Sequence, residues 1–154
     1  MPDYYSECED GFVALLQTLT TYFPNSWQVS DDDSNLMRGA ENFVVVRPGA
    51  FPTTRISDQA RYFHWEILFD LDVRFVEYKK SWDKFKEVRS AIINLVYSNP
   101  TLGNTLGVFD VALDSREQAQ YLKFSDDINA KPNFIIQTMR AIVTQRVEFT
   151  GGEF

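Results

Sequence analysis

The sequence predicts an α+β domain in which helices pack on one face of a single antiparallel β-sheet with two long central strands. Two stretches with a two-residue period of hydrophobicity predict the long strands, and two stretches with a period of three to four residues predict the helices. The 154 residues fit one domain, residues 1–154, which is large enough to bury a core without disulfides or metals.

The first long strand is predicted within Tyr62 to Tyr78, where apolar and polar residues alternate. The odd positions from 63 to 75 are all apolar, and most even positions are polar or charged. A two-residue period separates these sets onto opposite faces of a sheet, whereas a helix would scatter both sets around its axis. At about 3.3 Å per residue, Phe63 to Phe75 extends roughly 43 Å, which is long for a domain with an expected radius of gyration of about 15 Å.

The second long strand is predicted at Phe134 to Phe149, which is rich in β-branched residues. Six of its apolar residues share one parity: Ile135, Met139, Ala141, Val143, Val147 and Phe149. The two long strands match in length and pattern, so we expect them to pair antiparallel at the centre of the sheet.

Two amphipathic helices are predicted from apolar spacings of three and four. In the first helix, a capping box of Ser6 and Glu9 marks the start and Pro24 the end. The second is predicted from Tyr78 to Tyr97, with Ser81 as its N-cap. The apolar stripes are Phe12, Leu15, Leu16, Leu19 and Phe23 in the first, and Trp82, Phe85, Val88, Ile92 and Leu95 in the second.

Shorter strands are predicted at Trp27 to Val29, Asn42 to Arg47, Gly107 to Leu113 and Tyr121 to Phe124. In Gly107 to Leu113, the alternation places Phe109, Val111 and Leu113 on one side and Asp110 on the other. Pro48 to Ala60 has little periodicity and is predicted to be a long loop. Long loops are often functional, so this loop is a candidate arm for contacting a neighbour. Alternatively, the loop and the long strand that follows it form an extended hairpin.

The composition excludes several classes of protein. The formal charge of −7 argues against a surface that grips duplex DNA, because such binding depends on cations at phosphates. Cys8 is the only cysteine, so we expect no disulfide within the chain and an intracellular folding compartment. Carboxylates around Cys8 oppose a reactive thiolate. The acidic N-terminus does not resemble a signal peptide and no apolar run reaches membrane-spanning length, so we expect a soluble protein with no membrane association.

The sequence also lacks the motifs of nucleophilic, nucleotide-dependent or zinc-dependent enzymes, so we expect no catalytic residues, metal or cofactor. His64, with Glu66 and Asp70 on the same face, is the one candidate enzymatic site. Residues six apart on a strand lie about 20 Å from each other, which argues against it. The aromatic residues of the long strand could stack on single-stranded bases, but they match the apolar faces of the helices.

The even-numbered face of the two long strands is the candidate functional surface. Its charges have both signs and are interrupted by apolar residues such as Leu68 and Ile142. Such a surface suits contact with another copy of the chain, since charge pairs set the register and apolar groups exclude water. The candidate subunit-interface residues are Glu66, Asp70, Asp72, Arg74, Arg140, Arg146 and Glu148.

The order of these elements resembles the bacteriophage tail terminator family, also called tail completion or neck proteins. The resemblance lies in the helix around GFVALLQTL, the strand RYFHWEILFDLDVRF, the helix SWDKFKEVRSAIINLVYSN and the final strand ending TMRAIVTQRVEF. It implies a structural virion protein that forms a homo-oligomeric ring of six copies. This ring caps the tail tube and joins it to the head connector. DNA then passes through the lumen without specific binding. Assembly in the host cytoplasm and a place in the virion neck are implied as well.

Three alternatives remain open at this stage. One is another virion structural role, as a head completion protein, a connector adaptor or a tail tube protein. The others are a small-molecule enzyme with its site around His64, and a module that binds single-stranded nucleic acid.

Overall fold

A computed structural model of the chain describes residues 3–31, 42–50, 53–55, 60–75, 78–115, 117–122 and 133–148. Two α-helices and seven strands form this part of the chain. The helices are α1 (Tyr4–Gln17) and α2 (Tyr78–Tyr97). The strands are β1 (Val29–Ser30), β2 (Asn42–Pro48), β3 (Thr53–Arg55), β4 (Ala60–Phe75), β5 (Val108–Asp114), β6 (Gln120–Leu122) and β7 (Asn133–Glu148).

One sheet contains all seven strands, in the order β1-β2-β4-β7-β5, with β3 also paired to β4 and β6 also paired to β7. The long strands β4 and β7 pair antiparallel over their full lengths, from Ala60 opposite Glu148 to Phe75 opposite Asn133. This confirms the predicted central pair and the α+β class. Among the strands that the structure describes, all pairs are antiparallel except that of β2 with the two-residue β1, which is parallel.

The helices pack on the odd-numbered face of the sheet, as predicted. Phe12 of α1 lies against Phe69 of β4 with their ring centres 5.2 Å apart. Phe85 and Ile92 of α2 are fully buried in the same core. Because residues of one parity in β4 and β7 fill this core, residues of the other parity lie on the opposite side of the sheet.

The predicted caps of both helices are wrong. Asp3 caps α1, because its carboxylate accepts hydrogen bonds from the Ser6 amide and hydroxyl at 3.0 and 2.7 Å. Ser6 therefore lies inside the helix. The helix ends at Gln17, where the Thr18 hydroxyl bonds to the Leu15 carbonyl, and turns follow up to Pro24. Helix α2 begins at Tyr78, so Ser81 lies within its first turns.

The loop predicted for Pro48 to Ala60 is largely wrong, and its extended-hairpin alternative is correct where the structure describes it. Gly49 and Ala50 continue the pairing with Glu66 through two backbone hydrogen bonds of 2.9 Å. Thr53–Arg55 then pairs with residues 61 to 63 of β4. These backbone groups are already bonded to β4 and do not form a free arm. Residues 51–52 and 56–59 lie outside the described part.

Two short segments also differ from prediction. The residues expected to begin a strand at Trp27 form a single 3-10 turn, Ser26–Gln28, because the Asn25 amide and side chain both bond to the Gln28 side chain. Strand β6 ends at Leu122, and the rest of the predicted Tyr121 to Phe124 strand is outside the described residues, as is Phe149.

A β-bulge between Val108 and Asp110 changes the predicted sides of β5. The bulge adds one residue opposite β7, which reverses the facing of Phe109. Val108 and Val111 are buried in the core, whereas Phe109 is 51% exposed. The prediction that Phe109 shares a face with Val111 is therefore wrong, because simple alternation assumes an uninterrupted ladder.

Candidate subunit interface on the outer face of the sheet

The outer face is defined here as the side of the sheet opposite the two helices, formed by the even-numbered residues of β4 and β7. Across the central pair, Glu66 stands opposite Ile142, Leu68 opposite Arg140, and Asp70 opposite Thr138. Charged groups therefore alternate with apolar and hydroxyl groups along and across the strands. This arrangement matches the mixed surface predicted from the sequence.

Asp70 is held by two neighbouring strands. One carboxylate oxygen accepts a hydrogen bond from the Thr138 hydroxyl of β7 at 2.6 Å and pairs with Arg47 of β2 at 3.0 Å. Both partners lie directly or diagonally across from Asp70, so the pairing follows from the register. The charge of Asp70 is thus neutralised within the chain.

Arg140 joins strands β4, β7 and β5. One terminal nitrogen bonds to a carboxylate oxygen of Asp114 at 2.5 Å, and the other lies 3.5 Å from Glu66. The hydrogen bond to Asp114, with the charge of Glu66 beside it, raises the pKa of the Arg140 guanidinium. This guanidinium is permanently charged and forms a bridge across three strands.

Asp72 and Arg74 form a poorly paired group at one end of the outer face. Asp72 is only 4% exposed, and its Oδ1 atom lies 3.9 Å from Arg74 Nε. Both atoms are buried without a hydrogen-bond partner, and the Arg74 guanidinium stacks over the Phe43 ring at 4.8 Å. Burial raises the pKa of Asp72 to about 6, with Arg74 opposing the rise and Asp70 adding to it.

Arg146 and Glu148 lie at the other end of β7 and pair with each other at 3.0 Å. Their side chains are more than half exposed. The seven residues predicted for the interface therefore share one face but divide into separate groups. Asp70, Glu66 and Arg140 belong to cross-strand pairs, Asp72 and Arg74 to a buried pair, and Arg146 and Glu148 to an exposed pair at the end of the strand.

Sequence reasoning missed three residues of this surface: Arg47, Asp114 and Thr138. The alternation of β2 contained the signal for Arg47, because Asn42, Val44 and Val46 face the core and leave Arg47 on the outer face. Asp114 was missed because the predicted strand stopped at Leu113, one residue short of β5.

Within the described ranges, His64 is not joined to a carboxylate. His64 Nδ1 lies 3.4 Å from the Thr144 hydroxyl, while Glu66 is engaged by Arg140 and Asp70 by Arg47. The candidate enzymatic residues thus remain apart, each with its own partner on the outer face. The described residues contain no cluster of three or more side chains suited to hold a metal ion.

Cys8 is fully buried beneath the sheet, where its thiol points to the Gln145 side-chain oxygen at 3.5 Å. Burial, followed by the charge of Glu7, raises the pKa of the thiol to about 12. The thiol is therefore protonated and shielded at neutral pH.

Neither helix in the described ranges is long and apolar enough to cross a membrane.

Comparison with known proteins returned neither a matching family model nor a matching curated protein.

Proposed function

We propose that this protein is a structural assembly protein that closes into a ring of identical copies. Its resemblance to tail terminators favours a ring that caps a phage tail tube and joins it to the head connector, with DNA passing through the lumen. The observation that supports the proposal most is the outer face of the central strands, where charged groups, most of them paired within the chain, alternate with apolar groups.

Internal pairing makes the outer face suitable for burial against another copy. Removing an unpaired charge from water costs several kcal/mol or more, whereas a charge that keeps its partner loses less. Asp70 keeps Arg47 and Thr138, and Arg140 keeps Asp114 and Glu66. A neighbouring copy can therefore cover these groups without leaving a charge isolated.

The apolar groups of the outer face provide the favourable part of such a contact. Leu68, Ile136 and Ile142 are only partly buried, because the helices cover the opposite side of the sheet. Each square ångström of apolar surface removed from water contributes about 25 cal/mol. Complementary charges around these residues would set the register of the two copies.

The length of the central strands also favours assembly. Strands β4 and β7 each have 16 residues, and at about 3.3 Å per residue they run roughly 53 Å. A sheet of this length has backbone edges that natural proteins cover or block, and a ring of subunits is one way to cover them.

Electron microscopy of the protein mixed with tubes of the cognate tail tube protein tests the proposed role. A terminator forms single rings by itself, binds tube ends and stops tube growth. Growth of this chain into filaments would assign it to the tube proteins, and rings that ignore tube ends would favour a connector adaptor. A protein that forms neither rings nor end caps would contradict the proposal.

A further inference from the structure

Strand β5 lies at one end of the described part of the sheet. The strand order places β7 on one side of β5 and no described strand on the other. An end strand presents backbone amide and carbonyl groups that can pair with a strand of another chain, and natural proteins cover or interrupt such edges. The partners of these backbone groups therefore decide whether β5 can accept a further strand.

The register with β7 decides which backbone groups of β5 point away from the sheet. The Arg146 amide bonds to the Gly107 carbonyl, so the even-numbered residues of β7 turn their backbone groups toward β5. Ala112 stands opposite Ile142 and faces β7 in the same way. Leu113 is the next residue of the strand, so its amide and carbonyl point outward, away from β7.

The Tyr97 hydroxyl engages both outward groups of Leu113. It accepts a hydrogen bond from the Leu113 amide at 3.0 Å and donates one to the Leu113 carbonyl oxygen at 3.4 Å. A residue of a neighbouring antiparallel strand would form the same two bonds with Leu113. Because a tyrosine hydroxyl is both a donor and an acceptor, this one side chain takes the place of one residue of a strand.

Other features interrupt the opposite end of β5. The Val108 amide bonds to the Thr105 carbonyl at 3.1 Å, and the bulge between Val108 and Asp110 breaks the regular spacing of the outward groups. Asp110 is exposed and adds a charge there. Bulges and charged side chains both protect end strands from pairing. Between the bulge and Leu113, the strand retains Val111 as its regular outward residue, which is too short a stretch for a strand to pair with.

The end of α2 holds Tyr97 beside β5. Tyr97 is the last residue of the helix, and Val96 next to it is fully buried in the core. The Asn99 side chain bonds to the Leu95 carbonyl at 2.8 Å and closes the end of the helix. The Tyr97 side chain itself is 54% exposed. Its position is thus set by the end of the helix and by the hydrogen bonds to Leu113.

The other end of the described sheet has a similar arrangement. Gln17 is the last residue of α1, and its side-chain amide donates a hydrogen bond to the Val29 carbonyl of β1 at 3.2 Å. Strand β1 is the end strand on that side of the described sheet. Each helix therefore ends in a side chain that bonds to the backbone of an end strand.

We propose that the Tyr97 hydroxyl blocks strand addition at β5 by engaging both outward backbone groups of Leu113. An extended peptide segment that paired with β5 would have to displace the hydroxyl and break both hydrogen bonds. Tyr97 is thus an autoinhibitory contact at this edge. The edge is closed whether or not the chain forms a ring, and a ring would use other surfaces, such as the outer face.

Tyr97→Phe tests this role because it removes the hydroxyl and keeps the ring of the side chain. Tyr22→Phe is the matched control, since it removes another tyrosine hydroxyl, which bonds to the Glu87 carboxylate at 3.0 Å. After circular dichroism shows that both variants are folded, native-state hydrogen exchange measures the Leu113 amide. The Ala112 amide, which faces β7, is the reference within the same strand.

We expect Tyr97→Phe to speed exchange of the Leu113 amide about tenfold, because the amide loses its hydrogen bond. Exchange of Ala112 should not change in this variant, and exchange of Leu113 should not change in Tyr22→Phe. Multi-angle light scattering at rising concentration should show Tyr97→Phe exceeding the mass of the wild-type protein, since an open edge accepts a strand of another copy. Tyr22→Phe should keep the wild-type mass.

An unchanged exchange rate at Leu113 would overturn the inference, because the hydroxyl would then not close the edge. Equal acceleration at Leu113 and Ala112 would also overturn it, since a general loss of stability would account for both. Faster exchange at Leu113 alone, with the wild-type mass at every concentration, would show that the hydrogen bonds do not prevent strand addition and would overturn the proposed role.

Discussion

Replacement of Asp72 by Asn should stabilise the protein at neutral pH and lose this advantage in acid. Asp72 is buried on the outer face, its Oδ1 atom has no hydrogen-bond partner, and Arg74 Nε is 3.9 Å away. The native protein therefore favours the neutral carboxyl group. Asn reproduces that neutral form at every pH and keeps nearly the same shape.

The magnitude follows from the pKa of Asp72. Folding raises the pKa of Asp72 from 3.8 to about 6. This rise lowers the free energy of unfolding of the wild-type protein by about 3 kcal/mol once the carboxyl group is ionised in both the folded and the unfolded state. Because the pKa of Asp72 is higher in the folded state than in the unfolded state, this loss of stability is absent below the pKa of the unfolded state. It is complete above the pKa of the folded state. Between about pH 4.5 and about pH 7.5, the stability of Asp72→Asn relative to wild type should rise by about 2 kcal/mol.

Urea unfolding of both proteins at the two pH values measures this difference, at a concentration at which both are single chains, because assembly would add to the apparent stability. Subtracting wild type from variant cancels the titration of all other groups. A relative stability that does not change between the two pH values would refute the assignment of Asp72 as a carboxyl disfavoured in its charged form.

Asp70→Asn is the matched control for this experiment. Asp70 lies two residues away on the same face, but its carboxylate is bonded to Arg47 and to the Thr138 hydroxyl. Its replacement weakens both contacts and should destabilise the protein by about 1–3 kcal/mol at neutral pH. The two substitutions remove the same charge and are expected to have opposite effects, because only one of the two carboxylates is well paired.

Three other predictions concern the core and the turn that precedes β5. Gly107→Ala should lower the free energy of unfolding by at least about 2 kcal/mol in urea, because its φ is +75° and the added Cβ meets the Arg146 carbonyl oxygen; an unchanged unfolding midpoint would contradict this. Gln145→Leu should cost about 2–4 kcal/mol in the same assay, since it removes the oxygen that accepts the Trp65 indole hydrogen bond at 2.9 Å and the amide that donates to the Leu106 carbonyl at 2.7 Å, and a neutral effect would show that the network is dispensable. Cys8 should react with a thiol reagent only as fast as the protein unfolds, because it is buried and its pKa is raised to about 12; rapid reaction of the folded protein would contradict its placement.

The strongest periodic patterns predicted the most. In β4, seven successive odd-numbered positions are apolar, so only one face of the strand can pack on the core. The structure buries that predicted face, with Trp65, Ile67, Phe69, Leu71 and Val73 in the core. Helix α2 spans the predicted stretch, Tyr78 to Tyr97, because its apolar stripe is flanked by clear changes in pattern, although Ser81 lies inside the helix and is not its N-cap. Long-range pairing of β4 with β7 was predictable because both strands share length and alternation.

Local chemistry accounts for what the sequence did not predict. Asp3 and Ser6 are both acceptable caps, and the choice depends on where the helix meets the sheet. The bulge at Phe109 follows from the Gly107 turn against β7, which alternation does not encode. The burial of Asp72 depends on strands β2 and β7 together, so a single-strand pattern showed its face but not its environment.

The native mass of the purified wild-type protein tests the central claim most directly. Multi-angle light scattering over a wide range of concentrations should give one discrete mass, a whole multiple of 17.9 kDa that does not grow further as the concentration rises. A ring gives this result because every copy contacts two neighbours and no contact surface remains free. A mass of one chain at every concentration, together with no binding to tube ends, would contradict the account.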